Sequence, residues 1–145
     1  MKTFAITLAL LATTTAATAQ RAPELTGIWT GQWRTVIFGS NPHHPGSQTT
    51  DSGPRVREIN FTIDIEGQSG RLIWGHSWSD PARKEPFAAT ITQDGLTIIG
   101  SDTDGSLTMR IVAGRNELEA CYTHTALGPS KSIVASCGDL RRQQR

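Results

Sequence analysis

The sequence predicts an all-β fold, an antiparallel up-and-down barrel of about eight strands, and three observations carry that expectation. Short runs alternate apolar and polar residues, turn signals rich in Gly, Pro and Asp divide them, and no helix-period segment follows the first residues. Folding the chain back at those turns also brings apolar faces repeatedly into register. That agreement matters because a slip of one residue would turn every side chain to the wrong face.

The first strand is expected over Leu25 to Ile37. The clearest alternation comes next, with Ile59, Phe61, Ile63 and Ile65 on one face and Glu58, Asn60, Thr62, Asp64 and Glu66 on the other. A turn at Gly67-Gln68-Ser69-Gly70 sets Ile65 opposite Leu72, Ile63 opposite Trp74, Phe61 opposite His76 and Ile59 opposite Trp78. The loop around Asp80-Pro81 then pairs Trp78 with Phe87, His76 with Ala89 and Trp74 with Ile91. Asp94-Gly95 is a tight-hairpin signal that pairs Ile91 with Ile98. The turn at Asp102-Thr103-Asp104-Gly105 pairs Ile98 with Met109 and Gly100 with Leu107, and Gly114-Arg115 pairs Ile111 with Leu118 and Leu107 with Tyr122. The last hairpin, at Gly128-Pro129-Ser130, places Cys121 opposite Cys137 on the outer face, within disulfide reach. A sandwich is the alternative architecture. Neighbour-to-neighbour hairpins without a crossover favour the barrel, which leaves no open edge.

Lys2, the apolar run Phe4 to Ala12 and the small residues ending Ala17-Thr18-Ala19 form a signal-peptide pattern, so residues 1–19 are read as a signal and 20–145 as one barrel domain. The apolar run is too short to span a bilayer, and membrane insertion of the mature chain is not expected. Cleavage would remove Lys2 alone, turning 14 basic and 13 acidic residues into 13 of each. A neutral protein lacks the basic surface that drives nucleic-acid binding. Periplasmic or secreted placement favours a disulfide for the two cysteines over free thiols or a two-ligand zinc site.

Leu25-Thr26-Gly27-Ile28-Trp29 resembles the opening Gly-x-Trp of the calycin superfamily, which includes lipocalins and avidins. The resemblance implies a basic residue of the final strand over that Trp at the closed end of the barrel, and alternation from Leu140 gives the role to Arg142. It also implies small hydrophobic ligands.

Alternate hairpins open at one end, where the long connection Phe38 to Pro54, carrying His43 and His44, would overhang the mouth as a lid. Trp78, Phe87 and His124 are expected to line that mouth, with His76 and Tyr122 one layer deeper. The plain alternative for each is a packed or hydrogen-bonded core residue. A metal site of His43, His44 and His124 would lack a completing carboxylate, and Asp102 to Gly105 has only part of a calcium loop, so no cofactor is expected. There is no nucleophile elbow, phosphate loop or His-Glu-x-x-His. The expected function is therefore non-enzymatic: an exported carrier or sensor of a small, partly hydrophobic ligand. The alternative is an exported inhibitor or interaction module that engages a protein partner through its loops or the arm Gln20 to Glu24. An isomerase using His76 or Tyr122 as proton donor is a distant third.

Overall fold

The computed structural model describes residues 22–39, 53–125 and 132–144. It contains β1 (Gly27–Gly39), β2 (Arg55–Ser69), β3 (Leu72–Trp78), β4 (Glu85–Ile91), β5 (Thr97–Ser101), β6 (Gly105–Val112), β7 (Glu117–Thr125) and β8 (Ser132–Arg142). Each strand pairs antiparallel with the next, and β1 pairs with β8, closing the barrel in simple chain order. The described residues hold no helix long and apolar enough to cross a membrane. The first strand begins and ends two residues later than alternation suggested.

From β4 onward the sequence register holds. Ile91 meets Ile98, Ile98 meets Met109, Ile111 meets Leu118 and Leu107 meets Tyr122. Cys121 meets Cys137 and the two form a disulfide on the outer face. Asp94 explains why the β4–β5 turn is so well specified. Its carboxylate accepts the Thr92 and Thr97 hydroxyls and the Leu96 and Thr97 amides. These bonds, led by the Thr92 hydroxyl, hold its pKa far below the usual carboxylate range.

The expected register of β3 is wrong. β2 runs on to Ser69, which pairs with Leu72, so the turn is the two residues Gly70 and Arg71 rather than the four from Gly67. A bulge between Ile65 and Gly67 then adds one residue to β2. Continuing the pairing of Ser69 with Leu72 without that bulge would set His76 opposite Ile65. With it, Gly75 takes that place, and His76 pairs with Asp64 instead. Ile73, Gly75 and Ser77 therefore face inward, while Leu72, Trp74 and His76 face out. The pairing with β4 shifts accordingly: Gly75, not Trp78, pairs with Phe87, His76 meets Pro86 rather than Ala89, and Trp74 meets Ala88 rather than Ile91.

Interior volume gives the reason. Trp33 is fully buried and stacks on Phe61 with ring centroids 4.1 Å apart. A barrel of this size has room for one such pair at its waist, so neighbouring strands must present small groups there. Ser77 of β3, on the cavity wall with the pair, and Gly138 of β8, against Trp33, do this. Gly75 also has no space for a larger residue, since a Cβ there would sit 1.9 Å from the Asp64 carbonyl oxygen.

The end of the barrel where the chain enters is closed. Leu25 and Trp29 are buried, the Trp29 Nε1 donates to the Leu25 carbonyl at 2.9 Å, and the Arg142 guanidinium lies 4.6 Å from the Trp29 ring centroid. Arg142 also donates to the Glu24 carbonyl at 2.6 Å. Gln68, turned inward by the bulge, accepts from the Leu25 amide and donates to the Pro23 carbonyl. The resemblance implied Arg142 over Trp29, and the structure shows that contact.

Gly75→Ala forces a methyl group into the Asp64 backbone and should destabilise the fold by roughly 1–3 kcal/mol, read from the urea midpoint. Replacing Cys121 and Cys137 together by Ala releases a constraint across a separation of 16 residues. That should cost about 3 kcal/mol on the chain-entropy model, and calorimetry under non-reducing conditions checks it.

Candidate functional site

The opposite end is built differently. There the chain leaves β1 and enters β2, and the β3–β4, β5–β6 and β7–β8 connections turn. Between these loops and the Trp33–Phe61 pair lies a cavity of about 30 Å³, room for about two water-sized groups. Trp33, Phe61 and Ile59 form its apolar walls, and Ser77 and Ser136 add hydroxyls. Below it the interior is filled by a continuous core that includes Ile63, Ile98, Met109, Leu118 and Leu140.

The rim is acidic and hydrogen-bonded. Glu85 opens β4, while Asp102 and Asp104 sit in the β5–β6 turn, and a carboxylate oxygen from each lies within 4.8 Å of the others. Asp102 Oδ1 accepts the amides of Asp104 and Gly105, the bonds that make the turn. The Tyr122 hydroxyl reaches both Asp102, at 3.2 Å, and Asp104, at 3.1 Å. Its ring lies against Gly105, where a Cβ would come within 2.2 Å of the hydroxyl oxygen.

His124 continues this network into the barrel. It is 3% exposed, with Nδ1 3.2 Å from Asp104 Oδ1 and Nε2 3.0 Å from Ser132 Oγ. An ionised carboxylate only accepts, so Nδ1 carries the proton, and in the neutral ring Nε2 accepts from Ser132. Ser, His and Asp in this order resemble a nucleophilic triad. Ser132, however, is 1% exposed and is not among the residues that line the cavity. The chain of bonds satisfies a buried imidazole.

Of the residues singled out from sequence, Tyr122, His124 and Trp78 gather at the cavity. Trp78 stands at its rim rather than inside, with Lys84 Nζ 4.2 Å from its ring centroid. Phe87 is buried in the core and does not line the cavity. His76 is on the outer surface, 2.7 Å from Glu66 Oε1 across β2 and β3, because the bulge turned it out. That position ends its candidacy as an interior ligand or proton donor. His43 and His44 lie outside the described residues. Sequence reasoning missed Trp33 and the three carboxylates. Trp33 was accessible to it, since Trp29, Trp33 and Ile37 share one face of the alternation. The carboxylates come from two separate connections at the same end, and the pairing of β4 with β5 brings them together.

Comparison with protein-family models and with curated proteins gives no match to this sequence. What the fold and site define is a closed eight-stranded barrel, plugged at one end and carrying a small polar-rimmed cup at the other.

Burial, followed by the Asp102 and Asp104 carboxylates, pushes the Tyr122 pKa well above the usual tyrosine value. A folded value above the unfolded one of about 10 means that the neutral phenol contributes its full stability below that pH and loses it as pH climbs further. Tyr122 is the single tyrosine of the chain, so absorbance at the tyrosinate band reads it alone. The folded protein should show no tyrosinate through pH 11, whereas the guanidinium-unfolded chain should titrate near pH 10; ionisation of the folded protein at that same value would refute the assignment.

Proposed function

We propose that this protein is an exported binding module that engages its ligand at the open end, inserting only a small group into the cup. The observation that carries this reading is the cavity itself: apolar aromatic walls, convergent hydroxyl, carboxylate and imidazole groups, and a filled core beneath. The small volume modifies the expectation of a carrier, because about 30 Å³ admits the end of a molecule and not a whole hydrophobic one. The calycin-like reading is supported by the contact between Arg142 and Trp29, and export by the disulfide together with the signal-like opening residues.

A second reading, an inhibitor or interaction module, is favoured by the same small volume, since a partner protein's side chain would fill the cup as well as a free molecule. The arm mechanism receives less support. Pro23, Glu24 and Leu25 are hydrogen-bonded beneath the barrel, and Ala22 packs on its core. The rest of that arm, Gln20 and Arg21, lies outside the described residues.

The four tryptophans provide the test, because each indole N–H gives its own signal in a nitrogen-edited NMR spectrum. A library of small polar fragments should move the signals of Trp33 and Trp78 at the cup, while those of Trp29 at the closed end and Trp74 on the outer wall stay in place. Movement of Trp29 or Trp74 alone, or of none, would sink the proposal.

A further inference from the structure

We infer that the outer wall over β3 to β6 is a binding site separate from the cup, and that its ligand is a neutral, extended chain of β-linked glucose stacked on Trp74.

The backbone makes the seat for this indole. The bulge in β2 turns Trp74 outward, where it is 46% exposed and pairs with Gly67 on one side and Ala88 on the other. A Cβ at Gly67 would lie 2.3 Å from both Cε2 and Cζ2 of the indole and 2.7 Å from Nε1, a position over the face of the ring. One face of Trp74 therefore rests on glycine backbone, and the opposite face is open. A large aromatic seated in this way is ordered before any ligand arrives, which lowers the cost of binding.

The wall beside the indole selects the ligand. Ala88, Ser101 and Ser106 continue the row of Trp74 across β4, β5 and β6, and Thr90, Ile99 and Thr108 continue the row of Leu72. No position in these two rows is charged. The outer faces of β1, β2, β7 and β8 differ, since they carry the exposed Arg34, Glu58, Glu119 and Asp139. An ionic ligand finds no opposite charge on the two rows, so complementarity favours a neutral one. Ser101, Ser106 and Thr108 are exposed, and each hydroxyl can both donate and accept. Size argues against a second copy of this chain. Two rows on four strands cover roughly 250 Å², a third of the ~800 Å² that each partner of a stable complex buries.

A β-linked glucose ring meets these conditions. Its two faces carry only C–H groups, which suit the negative face of an indole, and its hydroxyls lie at the edge, where they meet a hydroxyl-bearing neighbour. The β-linkage keeps successive rings in an extended ribbon. A chain seated on Trp74 can therefore run on across the Ser and Thr positions.

The indole N–H signals of the folded protein, titrated with cellohexaose, test the inference. The Trp74 signal should move while those of Trp29 and Trp33 stay in place, and the affinity should not change as salt is added. Trp74→Ala should weaken binding about tenfold, and so should Gly67→Ala, which puts a methyl group where the ring lies. Maltohexaose, the same sugar in a coiled chain, and a β-linked hexaglucuronate, its charged counterpart, should each bind at least about tenfold weaker. Glucose alone should leave the Trp74 signal unmoved. Should either variant not fold, the wild-type spectra and the comparison of ligands decide. A Trp74 signal unmoved by cellohexaose, full affinity in Trp74→Ala, or equal binding of maltohexaose or hexaglucuronate would overturn the inference. A dimer in sedimentation that Trp74→Ala abolishes would assign the wall to a second copy and overturn it as well. Movement of Trp33 in place of Trp74 would also overturn it, while supporting the cup, which the fragment spectra test on their own.

Discussion

Trp33 and Phe61 occupy the waist of the barrel as a stacked pair, and the space they take constrains the residues around them. Close packing leaves no freedom to place a second bulky group in the same layer. The strands that face the pair contribute Ser77 and Gly138, and the bulge in β2 puts the small face of β3 inward. Without that extra residue, Trp74 and His76 would face the interior. The cost is an exposed outer wall at Leu72 and Trp74, with Trp74 lying over Gly67.

The same pair divides the interior into two ends of unlike chemistry. Below it, apolar side chains and the Trp29–Arg142 contact seal the barrel, and the polar atoms of Gln68 are spent on the entering chain. Above it, Thr35, Ser136, His124 and Ser132 are buried polar groups on the inner face, followed by the carboxylates. Buried polar groups demand partners, so this end is ordered by a hydrogen-bond network in place of packing. Tyr122 sits at the junction, with its ring among wall residues and its hydroxyl on Asp102 and Asp104.

How much of this was legible in the sequence depended on what fixed each register. From β4 to β8 the connections include Asp94-Gly95 and Gly114-Arg115, turns whose chemistry sets the pairing, and the face of every strand was read correctly. Between β2 and β3 the alternation itself misled. Trp74, His76 and Trp78 alternate as well as Ile73, Gly75 and Ser77 do, and periodicity alone has no means of ranking the two faces. Volume does, but only once Trp33 is known to point inward. The two connections of the acidic rim were placed at one end, but their carboxylates were not singled out. Asp102 and Asp104 look like a hairpin turn because they form one, and Glu85 joins them only when β4 and β5 pair.

The disulfide has a topological consequence that its energy does not express. Cys121 and Cys137 close a covalent ring that contains the whole β7–β8 connection at the open end. A single backbone cut anywhere within that ring opens it without dividing the molecule. Because β8 also forms the seam with β1, the strand that closes the barrel stays tethered in place after such a cut. The loop inside the ring can thus diverge or be nicked, and the cylinder that presents the cup remains one connected object.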